Sequence, residues 1–149
     1  MKYISITFLF LLTLAGCEKE KSQAEKDDDI INNYLSENDK EAVYHNSGLY
    51  YHIIEEGSGG HPEISDTIKV KYKGYLTNNQ VFDETKDEET FEYSLSGLIP
   101  GWQIGLPLIQ KGGKEILYIP SALGYGSYSI SKIPANSVLV FEIELVDFY

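Results

Sequence analysis

The sequence predicts an α+β domain: an antiparallel sheet of about five or six strands packed on one short helix, preceded by a further helix and a tether. Three observations carry this. Ile68, Val70 and Tyr72 alternate with Lys69, Lys71 and Lys73, and Leu139, Phe141, Ile143 and Leu145 oppose Glu142 and Glu144, the period-two pattern of half-buried antiparallel strands. Aromatic residues make up 13% of the chain, with 12 Tyr, which favours strands. Only one internal stretch has helical spacing: Trp102, Leu106 and Ile109 share a face behind Pro100, a residue suited to the first helical position. Pro107 limits that helix to about two turns. Its Trp, the single one in the chain, serves locally either as the floor of a pocket or as a core plug.

In chain order, Lys2 and the apolar residues 3–14 form a leader too short to span a bilayer. It ends in Leu14-Ala15-Gly16-Cys17, which resembles a bacterial lipobox, with the single Cys of the chain at the position that would be lipidated. Residues 1–16 are thus expected to be a lipoprotein signal peptide and Cys17 the lipidated N-terminus. A lone Cys also excludes a disulfide framework. Residues 17–29 are charged and polar, without apolar periodicity, and are expected to be a flexible acidic tether. Residues 30–65 form an N-terminal extension of helix and strand. Within it, Ile30, Ile31, Tyr34 and Leu35 make a two-turn apolar stripe that needs a surface to dock on, here assigned to its own domain, with a monomer favoured.

Residues 66–149 form the main domain. Ser47-Gly48 turns the chain into a strand over residues 49–54, and Asn78-Asn79 joins the Lys-alternating strand to Val81-Phe82-Asp83. Residues 84–90 are an acidic loop, expected together with Glu115 to be solvated surface. Phe91, Tyr93 and Leu95 alternate into the short helix, and residues 115–119 are another strand. A loop of about 17 residues, 120–136, is rich in Gly, Ser and Tyr; a loop so long is usually functional or disordered.

Lys+Arg number 12 against 23 Asp+Glu, a net charge of −11, which argues against nucleic acid as a partner. His45, His52 and His61 are scattered and make no metal set, and no cofactor motif occurs.

Val70-Lys71-Tyr72-Lys73-Gly74-Tyr75-Leu76, Phe82-Asp83, Leu98-Ile99-Pro100-Gly101-Trp102, Ile119-Pro120 with Gly124-Tyr125-Gly126, Ile133-Pro134-Ala135-Asn136 and Leu139-Val140-Phe141-Glu142-Ile143-Glu144-Leu145 follow one another in order. Together they resemble the FKBP-type peptidyl-prolyl cis–trans isomerases. With the leader, the chain resembles the gliding-motility-associated lipoproteins of that family. The resemblance implies a five- to six-stranded antiparallel sheet wrapped around one short helix, and isomerisation of X–Pro bonds in exported proteins without cofactor, metal or covalent step. It further implies that Trp102 floors a proline pocket walled by Tyr72, Phe82, Phe91 and Phe141, with Leu98, Ile99 and Ile133 at the rim. The Ile99 N–H and the Tyr125 hydroxyl would hold substrate carbonyls, and Asp83 would bond Tyr72. The catalytic set is therefore Tyr72, Asp83, Ile99 and Tyr125. Family macrolide inhibitors are implied ligands. A location in the cell envelope follows, lipid-anchored and facing the periplasm or exterior. The alternatives are a non-catalytic proline-binding or chaperone module and an accessory lipoprotein of an envelope machine. Departures from the family pattern lie in Lys86-Asp87-Glu88-Glu89-Thr90, Tyr93, Gly124 and Lys132. They spare the pocket floor and fall where substrate preference and macrolide affinity are set.

Overall fold

The computed structural model describes residues 20–149. The leader and Cys17 lie outside the described residues. Helix α1, Gln23–Glu37, comes first, followed by strands β1 Val43–Tyr44, β2 Tyr50–Glu55, β3 Thr67–Leu76, β4 Val81–Glu84 and β5 Phe91–Ser94. Helix α2, Pro100–Gly105, is followed by β6 Lys114–Ile119 and β7 Leu139–Phe148. The seven strands form one antiparallel sheet in the order β1-β2-β6-β7-β3-β4, with β5 beside β4 along the same edge of β3. Six of the seven match the strands expected from the sequence; the addition is two-residue β1, too short to show a period.

Strand alternation sorts the side chains onto two faces. Val70, Leu117, Ile119, Leu139, Phe141, Ile143 and Leu145 face α2, whose Trp102 packs among them with Leu106 and Ile109. The helix begins at Pro100 in its first turn, and a 3-10 turn, Leu106–Leu108, takes over where Pro107 stands. It lies very close to β6: a Cβ at Gly101 would stand 2.6 Å from the Ile119 side chain, and one at Gly105 2.5 Å from Leu117. Those two glycines let so short a helix rest on the sheet.

The opposite face is covered by α1. Ile31, Tyr34 and Leu35 dock on Tyr50, Tyr75, Ile116, Tyr118, Val138 and Val140, so the stripe does find its own domain. The helix starts earlier than the apolar stripe predicts, which corrects the tether over 23–29. Ser22 caps it: its side chain accepts from the Glu25 N–H while Glu25 Oε2 accepts from the Ser22 N–H at 2.7 Å. Such a capping box stabilises a helix start by about 1 kcal/mol. The Ser-x-x-Glu signature was visible at Ser22 but is masked by the surrounding run of charges. Asp27, in the expected tether, is 1% exposed.

Glu115 corrects the second expectation. It is wholly buried, not solvated, because β6 is interior to the sheet and position 115 shares the core-facing phase of Leu117 and Ile119. Neither carboxyl oxygen finds a hydrogen-bond partner among the described residues, and burial alone pushes its pKa up to about 8. The 120–136 loop also has structure of its own. It holds a 3-10 turn, Ser121–Leu123, and a two-residue hairpin in which Ile130 and Ile133 exchange both backbone bonds at 2.9 Å.

Candidate active site

Between α2, β3, β4, β5, β7 and the 120–136 loop opens a cavity of about 420 Å³. Trp102, 4% exposed, is its floor. Tyr72 meets the indole edge-on at 5.2 Å and 83°, and Phe141 does so at 5.2 Å and 88°. Phe91 stands against Tyr72 at 5.7 Å and Phe82 against Phe141 at 5.4 Å. Edge-to-face contacts of this kind each add about 0.5–1.5 kcal/mol beyond simple burial. The rings therefore hold one another in a fixed box.

Backbone geometry sets that box. Phe82 and Phe141 flank Gly74, where a Cβ would come within 2.6–2.8 Å of both rings. No other residue type fits there without moving an aromatic wall. The β3–β4 register shifts at Gly74/Tyr75, next to the Gly74–Asp83 pair. Bulged registers re-aim side chains; here the Tyr72 hydroxyl donates to Asp83 Oδ2 at 2.6 Å. Ile99 is the N-cap of α2, and its carbonyl accepts from the Trp102 and Gln103 amides. Its own N–H has no backbone acceptor among the described residues. Gln103 Nε2 braces the preceding strand of chain by donating to Leu98 O at 2.7 Å and Ser96 O at 3.2 Å.

A family model for FKBP-type peptidyl-prolyl cis-trans isomerases matches residues 59–146. The chain belongs to this family. It is 46% identical over 102 residues to the FKBP-type peptidyl-prolyl cis-trans isomerase FkpA of Escherichia coli K12, covering 68% of this chain and 38% of that protein. Against the FkpA of Aeromonas hydrophila it is 39% identical over 136 residues, covering 85% and 51%. The chain thus spans between about two fifths and half the length of these curated relatives. The crystal structure of Escherichia coli FkpA superposes with a TM-score of 0.75 at 40% identity, covering 84% of this chain and 60% of that one. A Pseudomonas syringae peptidyl-prolyl cis-trans isomerase shares the fold, with a TM-score of 0.71 at 24% identity, covering 87% and 98%.

All ten pocket residues named from the sequence of this FKBP-type chain line the one cavity: Tyr72, Phe82, Asp83, Phe91, Leu98, Ile99, Trp102, Tyr125, Ile133 and Phe141. Two further lining residues, Ile130 and Ser131, were not named; Lys132 was noted only as a departure. The signal for them was Ile130-Ser131-Lys132-Ile133, two apolar residues bracketing a polar pair, which is how a two-residue hairpin reads. Tyr93 stacks on Phe91 at 5.9 Å and 12° but stays half exposed, outside the lining.

The two tyrosine hydroxyls of the cleft are set by burial and by the neighbouring Asp83. Burial raises the Tyr72 pKa well above the usual tyrosine range, and the bond to Asp83 adds to it. Burial raises Tyr125 as well, with the Asp83 charge second. Both hydroxyls therefore keep their protons at neutral pH and act only as hydrogen-bond donors and acceptors. Trp102 Nε1 has no acceptor among the described residues.

Proposed function

We propose that the chain is a peptidyl-prolyl cis–trans isomerase acting on X–Pro segments of exported proteins, in a desolvating pocket without covalent or metal catalysis. The observation that carries this reading is the cavity walled by aromatic rings over Trp102, with the hydroxyls of Tyr72 and Tyr125 among its lining. Resonance makes a planar amide more polar than a twisted one and sets a rotation barrier of about 18–20 kcal/mol. Burying an amide without a partner costs roughly 2–7 kcal/mol. The planar ground state suffers that penalty more than the twisted transition state. A difference of about 1.4 kcal/mol already changes the rate tenfold. The proline ring enters over Trp102. The Ile99 N–H and the Tyr125 hydroxyl take carbonyls flanking the bond, so the segment is held while one amide rotates. Asp83 anchors the Tyr72 hydroxyl and keeps that ring edge-on to the indole.

Exchange NMR of a short X–Pro peptide tests this directly. The protein should accelerate cis–trans exchange, and Asp83→Ala should lose about 10- to 100-fold of that, as expected for a hydrogen bond to a charged group worth about 1.5–3 kcal/mol. Since Asp83 is exposed, its loss should cost under about 1 kcal/mol of stability. Peptide binding without acceleration would reject catalysis.

The lipid-anchored envelope location rests on Leu14-Ala15-Gly16-Cys17. A chain expressed in a bacterium with labelled fatty acid should take up label at Cys17 and partition with membranes, and Cys17→Ser should do neither. The macrolide inhibitors of the family are proposed to occupy the same aromatic box, and a monomer is the proposed state of the soluble part.

A further inference from the structure

Asp27 is one of only three buried polar or charged residues named among the described ones, and it lies on the helix that the family match leaves out. Its Oδ2 accepts two bonds from one residue across 94 positions of sequence: the Ser121 N–H at 2.8 Å and the Ser121 hydroxyl at 2.6 Å. Its Oδ1 accepts from Gln23 Nε2 at 2.7 Å, which fixes the carboxyl's rotation. Ser121 opens the 3-10 turn that begins the 120–136 loop, and the residue before it is Pro120, which supplies no side-chain cap. Asp27 does the capping from another element.

What Ser121 does next connects this clamp to the pocket. Its carbonyl accepts from the Gly124 amide at 3.0 Å and the Gly126 amide at 2.8 Å, one on each side of Tyr125. Gly126 O in turn accepts from Asn136 N at 2.8 Å, closing the base of the loop. Gly126 has φ +60, a backbone state open to glycine at little cost. A groove of about 570 Å³ runs beside the Asp27–Ser121 contact, lined by Ala24, Asp28 and Ile31 of α1 and by Pro120, Ala122 and Leu123. Beside that groove, the buried Asp27 carboxyl makes the polar link between helix and turn.

We infer that Asp27 is a positioning residue for isomerisation: through Ser121 it holds the loop that presents Tyr125 to the substrate. This rests on the proposed role of the Tyr125 hydroxyl. It makes α1 part of the working enzyme rather than a passive extension, since anything that unseats the helix releases one wall of the pocket.

The test is a double-mutant cycle on kcat/KM in the full chain, joined to amide hydrogen exchange. Asp27→Ala should lower kcat/KM by about tenfold, the order expected when a contact residue is displaced. Asp27→Asn should retain most activity, because one amide oxygen accepts both Ser121 bonds. Asp27→Ala in a Tyr125→Phe background should be no worse than Tyr125→Phe alone, since both remove the same hydroxyl from action. The Gly126 amide should exchange faster in Asp27→Ala while amides of β6 and β7 keep their protection. If Asp27→Ala fails to fold, Ser121→Ala, which removes one of the two bonds, should show a smaller loss with the same coupling to Tyr125. Losses that add independently of Tyr125→Phe, or a folded Asp27→Ala with unchanged kcat/KM, overturn the inference. A Tyr125→Phe variant at the wild-type rate would instead reject the role of Tyr125, and with it the route through Ser121.

Discussion

Glu115→Gln should make the protein more stable, with a gain that grows from pH 5 to pH 8. The wild-type carboxyl is fully buried without a hydrogen-bond partner, and desolvation alone raises its pKa to about 8 from 4.5. Because the folded value lies above the unfolded one, the unfolded chain releases this proton first. Stability is therefore greatest below about pH 4.5, falls as pH rises from there to about 8, and levels off once both states are ionised. At about 1.4 kcal/mol per unit of difference, the wild type should lie some 3 kcal/mol below the Gln variant at pH 7 and some 4–5 kcal/mol below it at pH 9. Urea denaturation of both proteins at pH 4.5, 7 and 9 measures this, and parallel curves across that range would mean that Glu115 is solvated or paired. Glu115→Leu should gain further at every pH, since it also removes two buried oxygens that lack partners. Gains of this kind are available wherever a functional protein sits above its stability threshold rather than at an optimum. Glu115 itself does not line the pocket, so isomerase activity should hold.

Trp102→Ala has the second large effect, and it acts on stability and activity together. Removing a buried aromatic ring costs roughly 3–5 kcal/mol, with the spread set by how far the surroundings collapse. Collapse is hindered here: Tyr72 and Phe141 each rest edge-on against the indole, and α2 is already in contact with β6 at Gly101 and Gly105. The loss should fall near the upper end of that range. Peptide exchange should return to the uncatalysed rate even in the fraction that folds, because the floor of the dry box is gone. Trp102→Phe separates the two contributions. It restores an apolar floor and should recover most of the stability, while keeping a measurable part of the activity. Chemical denaturation followed by circular dichroism, beside exchange NMR at a temperature where each variant is folded, checks both. Full activity in Trp102→Ala would leave the aromatic box without a role.

These two residues also mark what can be read in a sequence and what cannot. Trp102 stood out because its setting is local: a proline start, glycines on either side of it, and an apolar face within two turns. The strands were legible for the same reason, since period-two alternation is written along the chain, and the aromatic walls Tyr72, Phe82, Phe91 and Phe141 fell on those strands. The motif order then supplied their common purpose. Glu115 looked like surface because a carboxylate is normally solvated, and its own strand carries no alternation that would reveal a core-facing phase. Only the packing of α2 on one face of β6 and of α1 on the other decides that both of its faces are covered.

The sequence by itself determined most of the strands and the short helix, because these depend on periodicity and turn chemistry; the aromatic box and the pairing of Asp83 with Tyr72 came only from the resemblance of its motifs to a known family. The tertiary structure alone decided the start of α1 within a charged run, the burial of Glu115 and the Asp27–Ser121 clamp. Each of those is settled by partners far apart in the chain, 94 residues in the case of the clamp, which no local pattern of charge or hydrophobicity encodes.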